Sequence, residues 1–293
     1  MSQRFYIHIG LPKTATTTLQ QNILPAFCNE NQWHYAGVQQ PRKSGSGNSV
    51  IYRAFMNGMY SGDENLFFDA LKSNPHRNVP IIISEEMITV LTHKSTWKEN
   101  LQNIRRMLVN SDYRVLVTLR EPLAASFSFY LERYEYFHKQ FGKFGFEVLE
   151  SEDMAIYRYA SFIDYLQNLF GADRVYVATF ENIVKSKCYA IEKFLGHSLP
   201  KKLSLGVNNS RNRKHGKVLL NQKRNLHATV AQLVTQVVGD GRLREVAKSF
   251  GEYLQPSLSR IRWDSSVPLL SEKESEEFKA FLGEDQRILD RYL

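Results

Sequence analysis

Four short runs rich in β-branched and aromatic residues punctuate the chain. They are residues 4–9 (RFYIHI), 79–84 (VPIIIS), 114–119 (RVLVTL) and 174–180 (RVYVATF). Three of them are almost continuously apolar, which is the pattern of strands buried on both faces. Helix-like stretches separate them: one after Thr16, one over about residues 97–109 and one over about residues 122–137. Strands alternating with helices predict an α/β fold, a central and mostly parallel sheet flanked by helices.

The last third reads differently. Residues 218–238 carry Leu219, Leu226, Val230, Leu233, Val234 and Val237 at helical spacing, and residues 272–293 read as a charged amphipathic helix. Residues 201–217 (KKLSLGVNNSRNRKHGK) are polar, basic and strand-poor, so they read as a loop, as do residues 41–49. The 293 residues allow one large domain or two small ones at roughly 150 residues each. The expectation is one domain over 1–293, with a nucleotide-binding core to about residue 215 and a helical region from about 216.

Composition narrows the classes. Hydrophobic residues make up 43% and charged residues 23%, which excludes disorder by composition. The net charge of +8 suits an anionic ligand, nucleic acid or an acidic surface, and equally a mildly basic surface without a specific partner. No dense Lys/Arg tract forms a nucleic-acid arm, so no nucleic acid is expected. Cys28 and Cys188 lie far apart, which suggests neither a disulfide framework nor a zinc site, and no metal is expected. No signal-peptide core stands at the start, and no stretch reaches the about 18 apolar residues of a membrane span. A cytoplasmic location is the expectation, with peripheral membrane contact left open and the oligomeric state undetermined.

The first run leads into His8-Ile9-Gly10-Leu11-Pro12-Lys13-Thr14-Ala15-Thr16-Thr17-Thr18-Leu19. A loop between a buried strand and a helix suits an anion, because free N–H groups and the helix dipole point at it. Thr16, Thr17 and Thr18 add hydroxyls and Lys13 adds a point charge. The loop departs from the G-x-x-x-x-G-K-[ST] nucleotide motif. Counting from Gly10, Ala15 stands at the second glycine and Thr16 at the lysine, while the lysine has moved into the loop. An ordinary strand–turn–helix connection with a Thr cap is the plain alternative.

A second segment, Arg120-Glu121-Pro122 through Ser128 and Tyr130, follows the third run. Pro122 suits the first turn of a helix, and Arg120 then falls at the C-terminal edge of the sheet, where α/β folds bind ligands. Arg120 and Ser128 can share a phosphate. A structural salt bridge is the alternative for Arg120, and Ser126 replaces Ser128 if the helix phase differs. Phe127, Tyr130, Leu131 and Tyr134 form a helical stripe that reads as a core face.

Pro12–Leu19 resembles the 5′-phosphosulfate loop of sulfotransferases dependent on 3′-phosphoadenosine 5′-phosphosulfate (PAPS), P-K-[TS]-G-T-T-x-L, with Ala15 for the common glycine. Arg120–Tyr130 is similar to the 3′-phosphate segment R-[DN]-P-x-x-x-x-x-S-x-Y of that family, with Glu121 for Asp or Asn. The resemblance implies a P-loop NTPase-like sulfotransferase core with C-terminal helices, with PAPS as co-substrate and adenosine 3′,5′-bisphosphate (PAP) as product. It implies nucleotide contacts from Lys13, Thr14, Ala15, Thr16, Thr17, Thr18, Arg120 and Ser128. Arg211, Arg213 and Lys214 stand where the family often has a basic closing loop, although a solvated loop reads as well. Lys13 would steady the leaving group. Phe180-Glu181-Asn182-Ile183 resembles an architectural turn of the family. A base between the two motifs is implied, with Glu86 the first choice, Glu85 the second and His34 a distant third; a cap on the following helix is the alternative for the glutamates. The acceptor is left open among small molecules and glycans, with a carbohydrate favoured. A P-loop nucleotide kinase and a non-catalytic anion- or nucleic-acid-binding protein are the other classes.

Overall fold

A computed structural model describes residues 3–38, 49–75, 78–92, 95–200 and 266–293, together with strands at 213–214, 217–219, 224–225 and 262–263. The residues cluster into two compact units, Met1–Asn208 with Lys273–Leu293, and Asn209–Glu272.

The first unit is built on a five-stranded parallel sheet in the order β2-β3-β1-β4-β5. Its strands are β1 (Arg4–Gly10), β2 (His34–Tyr35), β3 (Ile81–Glu85), β4 (Asp112–Leu119) and β5 (Val175–Thr179). The expected α/β class is therefore observed. The two-residue strand β2 carries no apolar run, and only its pairing with Ile81 and Ile82 reveals it. The apolar runs are continuous because helices cover both faces. Tyr6, Ile82 and Leu116 pack with Leu19, Phe27, Ile191 and Phe194 on one side. On the other, the Phe5 ring meets Phe67 at 5.5 Å and Phe67 meets Phe55 at 5.6 Å.

The register aligns the C-terminal ends of the central strands. Ile9 is opposite Glu85, Gly10 opposite Thr118, and Leu119 opposite Thr179. Beside β1 the strand order reverses, the position where open α/β sheets form their ligand crevice. Local signals set the flanking helices: Thr96 and Glu99 form a capping box ahead of Trp97–Met107, and Ser49 accepts from the Tyr52 N–H ahead of Val50–Ser61.

Two helical expectations divide. The stretch at 122–137 becomes Pro122–Glu132 and Tyr134–Phe141, because Arg133 leaves helical dihedrals (φ −105°, ψ 31°). Its guanidinium lies 2.8 Å from the buried Asp153 and 4.3 Å from the Tyr136 ring centre. The stretch at 272–293 becomes Glu272–Phe281 and Gly283–Asp290, divided at Leu282. The buried Asp285 there accepts from Arg158 Nε at 3.0 Å and the Ala160 N–H at 3.2 Å.

In the second unit, β6 (Arg213–Lys214), β7 (Lys217–Leu219) and β10 (Ser266–Pro268) form an antiparallel sheet in the order β10-β7-β6, and β8 (Arg224–Asn225) pairs with β9 (Arg262–Trp263). This corrects two expectations. Arg213, Lys214 and Lys217 are strand rather than loop, and Val218, Leu219, Arg224 and Asn225 are strand rather than helix. The pairing partners of β7 and β8 include residues about forty to fifty positions away, beyond the reach of a periodicity window. The remaining residues of 201–238, and residues 41–48 of the earlier loop, lie outside the described residues.

Candidate active site

The loop after β1 takes a conformation that its sequence discourages. Lys13 and Ala15 both have φ 70°. Left-handed dihedrals cost an L-residue roughly 1–2 kcal/mol, so other contacts must hold the turn. Those contacts fall on the carbonyls. Thr89 Oγ1 donates to Gly10 O at 3.2 Å, Thr14 Oγ1 to Leu11 O at 2.7 Å, Tyr157 Oη to Pro12 O at 2.9 Å and Arg120 Nη1 to Lys13 O at 3.2 Å. In a trans peptide the N–H points opposite to the C=O. With the Pro12 and Lys13 carbonyls drawn inward, the N–H groups of Lys13 and Thr14 face outward. They adjoin the unpaired first-turn N–H groups of the helix that Ala15 begins without a side-chain cap. The result is a concave nest of N–H donors for an anion.

That helix runs on from Thr16–Thr18 through a π-helical stretch, Leu19–Ile23, into Leu24–Asn31. Gly10 sits so close beneath it that a Cβ there would lie 2.3 Å from Thr16 Cγ2. Glycine at position 10 is therefore a packing requirement. At Ala15 the requirement is the left-handed dihedral, and alanine meets it at a cost. Ala15→Gly is expected to raise stability by roughly 0.5–1 kcal/mol, the relief of φ > 0 less the added freedom of the unfolded chain. Urea denaturation checks this; an unchanged or lower midpoint would mean that the loop does not strain this residue.

Beneath the nest lies a polar layer that the sequence reading passed over. His8, Thr14, Ser84 and Thr118 are fully buried. His8 Nδ1 is 2.7 Å from Ser84 Oγ, and Thr14 Oγ1 is 2.7 Å from Thr118 Oγ1. Burial pushes the His8 imidazole down to about 3. Tyr157, which holds the Pro12 carbonyl, has its phenol pushed well above the ordinary value by burial, so it stays a neutral donor.

The sequence candidates sort by environment. Thr14 spends its hydroxyl inside, and Thr16 donates to Glu86 Oε2 at 2.9 Å. Thr17 and Thr18 are half-buried. Lys13 Nζ lies 3.2 Å from Glu132 Oε2. Arg120 is half-buried, with its guanidinium 4.6 Å from the Phe180 ring centre and its carbonyl accepting from Tyr159 Oη at 2.7 Å. Glu121 caps the next helix, accepting from the N–H groups of Leu123 at 3.2 Å and Ala124 at 2.6 Å. Ser128 is half-buried. Ser126 is fully buried and donates to Pro122 O at 2.7 Å. Tyr130 and Leu131 are core, while Phe127 and Tyr134 are only half-buried.

Among the proposed bases, Glu85 ends β3 fully buried, accepting from Tyr52 Oη and from the Met87 N–H at 2.7 Å. Glu86 is half-buried beside the loop. His34 is opposite Ile81, four residues before the Glu85 end of β3, or about 13 Å away at ~3.3 Å per residue. Arg211 lies outside the described residues; Arg213 and Lys214 are in β6. Glu132, Thr118 and Tyr157 belong to the site yet carry no motif in the sequence.

A cavity of about 390 Å³ opens beside the loop. Pro12, Met87, Val90, Leu91 and Phe129 form its apolar walls, Thr92 adds a hydroxyl, and Glu86, Glu132 and Arg133 bring charge to it. A larger hollow of about 600 Å³ includes Gln3, Lys72 and Asn110 near the N-terminal ends of the strands, away from the loop. Among the described residues no group of three or more His, Cys, Asp or Glu is placed to hold a metal ion, and no helix is long and apolar enough to cross a membrane.

No protein-family model and no curated protein matches the chain. Among solved structures it is similar to a sulfotransferase from Alicyclobacillus acidocaldarius, at 14% identity and TM-score 0.42 over 72% of this chain and 87% of that one. It is also similar to a sulfotransferase domain from the curacin biosynthetic pathway, at 14% identity and TM-score 0.40 over 69% of this chain and 76% of that one.

Proposed function

We propose that the chain is a sulfotransferase that takes PAPS as donor and releases PAP. The observation that carries this reading is the loop after β1. Its carbonyls are drawn inward, its N–H donors face outward, and its lysine stands inside the turn at position 13. Thr16 occupies the place where a nucleotide kinase loop keeps its lysine. In this reading the Lys13 and Thr14 N–H groups, the first-turn N–H groups and the Thr17 and Thr18 hydroxyls hold the 5′-phosphosulfate. Arg120 and Ser128 hold the 3′-phosphate. Lys13 meets charge developing on the leaving phosphate in a loose, in-line transfer. No metal enters the proposed scheme.

The test is nucleotide binding. PAP at about 100 times its dissociation constant is expected to add about 2.7 kcal/mol of stability, read as a thermal shift; a shift with ATP and magnesium but none with PAP would overturn the reading. Arg120→Ala is expected to lose about 1.5–3 kcal/mol of PAP binding. Much of that loss should vanish when adenosine 5′-phosphate replaces PAP. Equal losses for both ligands would assign Arg120 to bracing the Lys13 carbonyl.

A further inference from the structure

The ion pair of Lys13 with Glu132 joins the phosphate loop to the wall of the 390 Å³ cavity. The lysine side chain is 22% exposed and the glutamate 49%. Glu132 ends the helix that Pro122 begins, so the element that follows Arg120 also sets this carboxylate. Glu85 is sealed beneath Tyr52 and the Met87 amide, and Glu86 accepts from Thr16. Of these three carboxylates, Glu132 has as its partner the one group that the proposed chemistry draws away.

We infer that the cavity is the acceptor subsite, that it takes a compact alcohol, phenol or amine with an apolar body, and that Glu132 receives the acceptor's proton. This rests on the sulfotransferase reading and narrows it. The volume lies toward the lower end of the roughly 300–1,000 Å³ of small-molecule pockets. Five of the nine lining residues, Pro12, Met87, Val90, Leu91 and Phe129, are apolar, a wall that suits an apolar body and is costly for the sugar hydroxyls that would face it. The cavity's cation, Arg133, already faces Asp153 at 2.8 Å and covers the Tyr136 ring, so it offers little to the anionic groups of a sulfated polymer.

The step balances as a group transfer. The acceptor oxygen or nitrogen forms a bond to sulfur as the bond from sulfur to the bridging oxygen of the phosphosulfate breaks. The departing PAP keeps that electron pair, and Lys13 meets its charge. The acceptor's proton passes to the Glu132 carboxylate. Lys13 must leave Glu132 to reach the phosphosulfate, so donor binding uncovers the base when the acceptor needs it. A half-exposed pair is weak, and the exchange costs little.

The experiment compares wild type with Glu132→Gln and Met87→Trp. PAP binding is measured by calorimetry. Transfer of labelled sulfuryl from PAPS is measured to 2-naphthol, benzyl alcohol and phenethylamine, with desulfated heparin as the polymer arm. Glu132→Gln should bind PAP as tightly as wild type or several-fold more tightly, because Lys13 is released, while transfer falls by at least roughly 10²-fold. Met87→Trp should raise KM for the small acceptors and leave PAP binding unchanged. Full transfer by Glu132→Gln overturns the base assignment. Loss of PAP binding together with transfer in that variant shows a structural role and also overturns it. Transfer by wild type to desulfated heparin alone, or to none of the panel despite PAP binding, overturns the acceptor class. Wild type that fails to bind PAP overturns the sulfotransferase reading, and this inference with it.

Discussion

Lys13→Ala is expected to lose sulfuryl transfer by roughly 10²–10³-fold, which is about 2.7–4 kcal/mol of transition-state stabilisation. PAP affinity should change much less. The asymmetry follows from the role: an interaction that strengthens as charge develops on the leaving group affects turnover more than ground-state binding. Two features make the substitution clean. Lys13 has φ 70°, and alanine meets the same backbone demand as lysine, so the nest should keep its shape. The ion pair lost with Glu132 is half-exposed on the acid side, and such pairs contribute ~0–1 kcal/mol. Lys13→Arg should rescue poorly, because a planar fork does not replace a compact ammonium. Radiolabel transfer paired with PAP calorimetry on the three proteins decides this. Near-normal transfer by Lys13→Ala would remove the lysine from the chemistry. Equal losses of binding and transfer would reduce it to an anion-binding contact.

The second large effect is expected from pH acting at His8. The imidazole is fully buried among Ser84, Thr118 and the strands that carry them, and burial pushes it down to about 3. The unfolded chain returns it to about 6.5. Between those values the unfolded state binds the extra proton, so stability falls as pH falls. Above about pH 6.5 there is no penalty; below it stability is lost progressively toward pH 3, where the accumulated loss is roughly 5 kcal/mol. That is comparable with the whole stability of many domains, about 5–15 kcal/mol. Urea midpoints taken from pH 7.5 down to pH 4 should therefore decline steeply below pH 6.5. The His8 ring signals in NMR spectra should not titrate while the protein stays folded. A His8 that titrates near 6.5 in the folded protein, or a midpoint independent of pH over this range, would show that the imidazole is not held neutral. Since Thr14 joins this polar layer through Thr118, loss of PAP binding should accompany the acid transition.

The division between what was legible and what was not follows the range of the forces. The strands β1, β3, β4 and β5 were readable because both faces are covered, and dual burial writes a continuous apolar run into a short window. The turn from Gly10 to Thr18 was readable as a strand-to-helix connection because an apolar run ends at Gly10 and a threonine-rich helix start follows within one short window. Arg120 was readable as an edge residue because a strand and a proline-started helix bracket it locally. Other features depended on partners far away in the sequence. The sequence alone determined that Ala15 must be strained if the loop is left-handed. Only the folded chain showed the four carbonyl contacts, from Thr14, Thr89, Arg120 and Tyr157, that brace the loop. His8 read as one more residue of a buried strand, and its neighbours Ser84 and Thr118 come from two other strands. Glu85 and Glu86 are adjacent in sequence, but β3 ends at the buried Glu85, and Glu86 follows in the bend where it meets Thr16 of the loop. Glu132 stood outside every motif, because its place beside Lys13 depends on how a whole helix packs across the sheet edge. Local sequence thus determined where the turn after β1 falls, since it is made of a few successive peptides. Tertiary structure decided which carboxylate faces the lysine, since that is set by the packing of elements that no single window contains.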